Sequence, residues 1–258
     1  MGKPTGFMEY KRKTAQERTP EERTQDWDSF RPVLSEKSAV EQAARCMNCG
    51  TPFCHGGVRW RGIVSGCPLG NLIPEWNDLV YRGHYEDAWR RLVKTNPFPE
   101  FTSRVCPALC EGSCTAGLNF DPVAVKEIER FITDMAWEKG WVRPNPPKTR
   151  TGGKAAVAGS GPSGLAAAWK LNSLGIKVDV FEKSELPGGL LTFGIPNMKL
   201  PKEVVARRIE LLKEEGITFV TNTDVGRDMK AEELGSYDII VLCGGAGRPR
   251  DLTVEGRT

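Results

Sequence analysis

Lys154-Ala-Ala-Val-Ala158 runs directly into Gly159-Ser-Gly161-Pro-Ser-Gly164, and Leu165-Ala-Ala-Ala-Trp-Lys-Leu follows. Gly175 then interrupts the pattern, and Ile176-Lys-Val-Asp-Val-Phe181 leads to Glu182. The first run is short and apolar, as a buried strand is. The second is a G-x-G-x-x-G turn, and residues 165–174 have helical composition up to the glycine stop. Residues 176–181 read as the next strand. The order strand, glycine turn, helix, strand, with an acidic residue at its end, predicts a parallel sheet that binds a dinucleotide.

Each residue of this stretch has a physical task. Gly159 permits the tight turn, Gly161 lets a pyrophosphate approach the backbone, and Gly164 lets helix pack closely on strand. Ser160, Pro162 and Ser163 fill the positions between them, where free N–H groups of the helix N-terminus face the phosphates. Glu182 is placed to accept hydrogen bonds from a ribose, with Lys183 beside it. Beyond lies Leu186-Pro-Gly188-Gly189-Leu190, whose glycine pair resembles the extended fingerprint of flavoproteins with two dinucleotide sites and implies FAD. Taken alone, Gly188-Gly189 is also simply a flexible turn.

Further on, 202–215 is an amphipathic helix with Val205, Ile209 and Leu212 on one face, and 217–220 and 238–243 read as strands. Gly244-Gly-Ala-Gly247-Arg-Pro-Arg250 resembles the turn by which such flavoproteins pass to an NAD(P)H domain. Cys243, ending an apolar strand, reads as a buried thiol rather than a ligand.

The N-terminal half is organised around cysteine. Seven of the eight in the chain are Cys46, Cys49, Cys54, Cys67, Cys106, Cys110 and Cys114. The C-x2-C, C-x4-C and C-x3-C spacings bring several thiolates within reach of one centre, and proline after Cys67 and Cys106 resembles ferredoxin-type runs. Structural zinc is the competing reading, although it favours paired C-x2-C units or closely spaced histidines, and His55 and His84 are far apart. A disulfide framework suits small secreted chains instead.

Around the cysteines the elements are helical. Ser38-Ala-Val-Glu41 has the form of a capping box opening a helix that ends at Cys46. Pro74 and Gly83 bracket a second helix and 85–94 is a third. The clearest spans 123–139, with Ile128, Phe131, Ile132 and Met135 at helical spacing and Gly140 closing it. No strand of comparable quality is expected before residue 154. Residues 1–34 are polar with scattered aromatics, either an extended arm laid over a surface or a disordered tail. The sequence thus predicts an arm (1–34), a helical iron–sulfur domain (35–140), a proline-rich linker (141–153) and a Rossmann-like domain (154–258).

With 258 residues, 27% charged residues and a net charge of +3, the chain has too little basic excess to argue for nucleic acid. No apolar run approaches the roughly 18 residues of a membrane span. Clustered thiols without an export signal point to the cytoplasm.

Four stretches together resemble the small (beta) subunits of bacterial NADPH-dependent glutamate synthases. They are Met1-Gly-Lys-Pro-Thr-Gly-Phe, Gln42 through His55, Cys67-Pro-Leu-Gly-Asn-Leu-Ile-Pro-Glu-Trp, and Phe98 through Cys114. Dihydropyrimidine dehydrogenase and electron-bifurcating ferredoxin–NADP reductases share the module. The resemblance implies an α plus α/β fold: a helical domain with two 4Fe–4S clusters, then an incomplete Rossmann-like FAD domain. By that pattern Cys46, Cys49, Cys54 and Cys114 hold one cluster. Cys67, Cys106 and Cys110 hold the other, with Glu129 as an oxygen ligand or, failing that, a solvated helix charge. The implied function is electron input from NADPH, through FAD and the clusters, to a large (alpha) subunit that makes glutamate from glutamine and 2-oxoglutarate. A pyrimidine dehydrogenase, a ferredoxin–NADP reductase and a non-enzymatic zinc module are the alternatives. No catalytic side chain is expected.

The sequence departs from the family twice. Twelve residues separate Cys54 from Cys67 where three are usual. The extra loop falls between ligands of different clusters and costs only logarithmically. No second G-x-G-x-x-G follows, so the NAD(P)H domain is absent and the chain reads as a fragment, inactive with NADPH on its own.

Overall fold

The computed structural model describes residues 2–60, 63–247, 251 and 254–256. Met1, residues 61–62 of the inserted stretch and residues 248–250 of the glycine-rich turn lie outside the described residues. The chain forms two compact units, 1–143 with 196–204, and 144–195 with 205–258.

The first unit is helical. Two short turns, α1 (Gly6–Glu9) and α2 (Pro20–Arg23), precede α3 (Glu36–Ala44), α4 (Ile73–Tyr81), α5 (Tyr85–Val93), α6 (Pro99–Val105), α7 (Leu109–Gly112) and α8 (Val125–Glu138). The α3 cap lies one turn earlier than expected: the Ser35 hydroxyl, not that of Ser38, accepts the free N–H, here from Ser38. Ile128, Phe131 and Ile132 of α8 are buried with Ala39, Ala43, Trp76, Val80 and Leu92 in one core. Fully burying a side chain such as Ile132 contributes about 1.5–3 kcal/mol.

Glycine ends the longer helices by one mechanism. After α4, Gly83 at φ +77° donates to Val80 O (3.0 Å) and His84 donates to Leu79 O (2.9 Å). After α8, Gly140 donates to Trp137 O and Trp141 to Ala136 O. These paired bonds satisfy carbonyls the helix leaves open, and the left-handed residue they need is the one glycine adopts without strain.

Contrary to the sequence expectation, the first unit contains strands. β1 (Val58–Trp60) and β2 (Ile63–Ser65) form an antiparallel hairpin, Val58 opposite Ser65 and Trp60 opposite Ile63. The hairpin is the extra stretch between Cys54 and Cys67. The chain returns to its starting point, with Cys67 N–H donating to Cys54 O at 2.7 Å.

Residues 10–15 run along the helices rather than free of them. Gln42 accepts from Lys13 N–H and donates to Lys11 O, both at 3.0 Å, and buried Arg45 donates to the Tyr10 and Asp121 carbonyls.

The second unit carries a four-stranded parallel sheet. β3 (Lys154–Ala158), α9 (Pro162–Ser173), β4 (Lys177–Phe181), the short α10 (Leu190–Phe193), α11 (Lys202–Glu214), β5 (Thr218–Val220) and β6 (Ile239–Leu242) follow in order. The strand order is β5-β4-β3-β6. The chain therefore reverses direction of travel between β3 and β6, the switch point outside which open parallel sheets bind ligands. β6 is an edge strand of the described sheet, and its Ile240 (47%) and Leu242 (77%) are exposed.

Candidate functional site

At the switch point lies a cavity of about 530 Å³, within the roughly 300–1,000 Å³ of small-molecule sites. Gly159, Ser160, Gly161, Pro162, Ser163, Glu182, Lys183, Gly189 and Leu190 line it. Gly164 and Gly188 stand behind that wall. A methyl group on Gly164 would collide with the Gly159 carbonyl oxygen, whereas one on Gly161 would meet nothing within 4 Å. The space beside Gly161 lies at the α9 N-terminus, where free N–H groups are the kind that bind anions. Gly189, at φ +54°, packs so that an added Cβ would lie 2.8 Å from Gly161 Cα.

Ser160 is the hub of this loop. Its hydroxyl donates to Glu182 Oε2 and accepts from Gly188 N–H at 2.9 Å. Glu182 also accepts from Ser160 N–H (3.0 Å) and Ser184 N–H (2.9 Å). Burial opposes its charge, but these hydrogen bonds win and hold the carboxyl below its ordinary value. Glu182 thus faces the cavity ionised and oriented, able to accept from a diol.

Sequence reasoning missed Thr223, Asp224 and Val225, which line the cavity after β5, and Phe193 of α10. Thr221-Asn-Thr-Asp is a turn at the carboxyl end of a parallel strand, which is the signal that points there. Cys243 was expected to be buried, but it is half-exposed and also lines the cavity. It follows an edge strand whose outer side is open.

In the first unit all seven clustered cysteines are free thiols. They sort into two neighbourhoods. Burial pushes the Cys54 thiol up to about 12, and Cys46, Cys114 and Cys49 add to the shift as like charges. Burial likewise raises Cys46, with Cys114 and Cys49 contributing and Asn48 N–H and Asn77 opposing. Burial raises Cys110 too, with Glu111, Glu129, Cys67 and Cys106 as its charged neighbours. Among the described residues, no three such side chains converge to ready metal-ligating geometry. Buried thiols whose ionised forms would repel one another nonetheless suit a cationic centre, which takes up the charge that the protein alone disfavours.

Local backbone serves both neighbourhoods. Asn48 (φ +47°) and Ala108 (φ +57°) take the left-handed conformation inside C-x2-C and C-x3-C, at a cost of roughly 1–3 kcal/mol each. The turn at Ala108 aims its N–H at Cys106 Sγ, 3.4 Å away. Ser113, between Cys110 and Cys114, accepts from Gly66 N–H at 2.8 Å and so holds the base of the hairpin.

Glu129 is buried, not a solvated helix charge. Thr102 and Asn96 donate to its Oε1, Asn96 at 2.9 Å. Burial pushes its carboxyl up to about 7 against those hydrogen bonds and nearby Lys126. Lys126 donates to Cys106 O at 3.0 Å.

Comparison with known proteins agrees with this division. Residues 23–141 match the family described as dihydropyrimidine dehydrogenase domain II, 4Fe-4S cluster, and residues 157–202 match an NAD(P)-binding Rossmann-like domain. The glutamate synthase (NADPH) small chain of Bacillus subtilis is 57% identical over 258 residues, covering 100% of this chain and 52% of that protein. The corresponding small chain of Mycobacterium tuberculosis is 47% identical over 259 residues, 100% of this chain and 51% of the other. Glutamate synthase (NADH) of Schizosaccharomyces pombe is 49% identical over 260 residues, 100% of this chain and 12% of that protein. The chain spans about half the length of the small chains it matches. Among the described residues no helix is long and apolar enough to cross a membrane.

Proposed function

We propose that this chain, a relative of glutamate synthase small chains along its whole length, is the electron-input part of such an enzyme. It works in the cytoplasm beside a large subunit that forms glutamate from glutamine and 2-oxoglutarate. Cys46, Cys49, Cys54 and Cys114 hold one 4Fe–4S cluster, and Cys67, Cys106, Cys110 and Glu129 hold a second. The cavity at the β3–β6 switch point takes the dinucleotide part of FAD, and NADP(H) is the source of the electrons. When bound, these groups supply hydride acceptance from NADPH and single-electron transfer onward.

The observation that carries this reading is the sorting of the seven thiols. Cys54 has Cys46, Cys49 and Cys114 as electrostatic neighbours, and Cys110 has Glu111, Glu129, Cys67 and Cys106, of which Glu111 is already held by Arg12 and the Lys126 N–H. Each set offers four ligands although Cys114 is remote in sequence from Cys46.

The protein's own work is placement. Gly161 leaves room for the pyrophosphate, Ser160 fixes Glu182 against the ribose, and Gly189 keeps the chain low beside both. The left-handed turns at Asn48 and Ala108 orient the sulfurs.

The test uses the complete two-subunit enzyme. Cys46→Ser and Cys110→Ser should each abolish NADPH-dependent glutamate formation while NADPH still reduces a soluble dye. Normal glutamate formation in either variant would refute the assignment.

A further inference from the structure

Asn77 of α4 is fully buried, and neither its amide nitrogen nor its carbonyl oxygen has a hydrogen-bond partner within the protein. A buried amide left unpaired is unfavourable, and native proteins seldom keep one without a reason. Packing does not supply the reason. Its neighbours on α4, Ile73, Trp76 and Val80, belong to the apolar core, where a leucine of similar volume would serve.

The group that the amide approaches is the sulfur of Cys46, which is buried in that same core. Asn48 N–H approaches the same sulfur from the turn of the C-x2-C run. A neutral thiol is a weak acceptor, and a thiolate is a far better one. The partner that Asn77 lacks is therefore created when Cys46 becomes an ionised ligand.

We infer that Asn77 donates an N–H···S hydrogen bond to the Cys46 thiolate of the loaded protein and thereby raises the reduction potential of the cluster held by Cys46, Cys49, Cys54 and Cys114. Hydrogen bonds to the sulfurs are among the levers that set iron–sulfur potentials, because they stabilise the more negative, reduced state. The effect is confined to one cluster. In the other set Cys106 receives its N–H from the Ala108 backbone instead.

This inference rests on the cluster assignment above, and the experiment separates the two. Wild-type protein, Asn77→Leu and Asn77→Asp are prepared in the complete enzyme and loaded anaerobically with iron and sulfide. Iron content, redox titration followed by electron paramagnetic resonance, and deuteron couplings after exchange into heavy water are then measured. Failure of the wild type to take up iron would remove the cluster assignment itself. With iron content equal in all three, one cluster should titrate at a lower potential in Asn77→Leu and the other should not move. An exchangeable deuteron coupled to the shifted cluster should also disappear. Asn77→Asp keeps the side-chain shape, so it serves if the leucine variant folds poorly, and it should shift in the same direction. Equal potentials and an unchanged deuteron coupling in a fully loaded variant would overturn the role of Asn77.

Discussion

Two neighbouring glycines of the 159–164 loop should respond to the same methyl group in opposite ways. In Gly164→Ala the new Cβ collides with the backbone carbonyl of Gly159 and comes 3.4 Å from Cys243 Cβ. Neither side can yield cheaply, because the obstacle is backbone pinned between β3 and α9. Overpacking of this kind costs roughly 1–3 kcal/mol, and a backbone obstacle puts the expectation at about 3 kcal/mol. For a protein of this size that lowers Tm by about 6–12 °C. In Gly161→Ala the methyl group meets nothing within 4 Å, and the backbone, at φ −63° and ψ −178°, is one alanine adopts. Stability should hold or rise by about 0.4–1 kcal/mol through the stiffer unfolded chain. The methyl group does fill the space beside the α9 N-terminus, so affinity for FAD or for ADP should fall at least about tenfold, a loss of about 1.4 kcal/mol. Thermal unfolding followed by circular dichroism gives the first quantity and titration calorimetry the second. Equal destabilisation by the two variants, or full affinity in Gly161→Ala, would refute the division of roles between the two glycines.

Two further outcomes follow from the same geometry. Gln42→Ala removes two of the bonds that hold residues 11–13 to α3, each worth about 1 kcal/mol, and leaves the exposed Lys13–Glu41 pair in place. It should therefore cost about 2 kcal/mol in urea unfolding and speed amide exchange in residues 10–15. Tyr237 donates to Asp179 at 2.9 Å, and burial, helped by that carboxylate, pushes its phenol up to about 12. The folded value lies above the unfolded value of about 10, so the fold favours the neutral phenol. Its contribution is complete below about pH 10 and is lost as pH rises through about 12. The stability gap between wild type and Tyr237→Phe should accordingly close over that interval.

What the sequence made legible was local. The strand, turn and helix around Gly159 and the apolar stripe of α8 are each set within a few residues, so pattern and glycine positions suffice. The hairpin of β1 and β2 was hidden because strands of three residues carry no periodicity to count. Helix α6 escaped for a similar reason, at seven residues with proline at its start. The α3 cap slipped because Ser35 and Ser38 are both competent N-caps, and tertiary packing decides which of them starts the helix. Glu129 shows the deeper limit. Its position off the Ile128–Ile132 stripe left a solvated charge open beside the ligand role, and only packing decides between exposure and burial, because Thr102 of α6 covers that side. The grouping of Cys114 with Cys46 is likewise a product of packing, since spacing along the chain links Cys114 only to Cys110.

The central claim, two clusters on two ligand sets, is tested most directly by loading the protein with iron and sulfide without oxygen and measuring both elements with a visible spectrum. About eight iron and about eight labile sulfide per chain, with the broad absorption of 4Fe–4S centres, is the expected result. Stoichiometric zinc with no iron would contradict it and leave a structural cysteine domain beside a nucleotide fold.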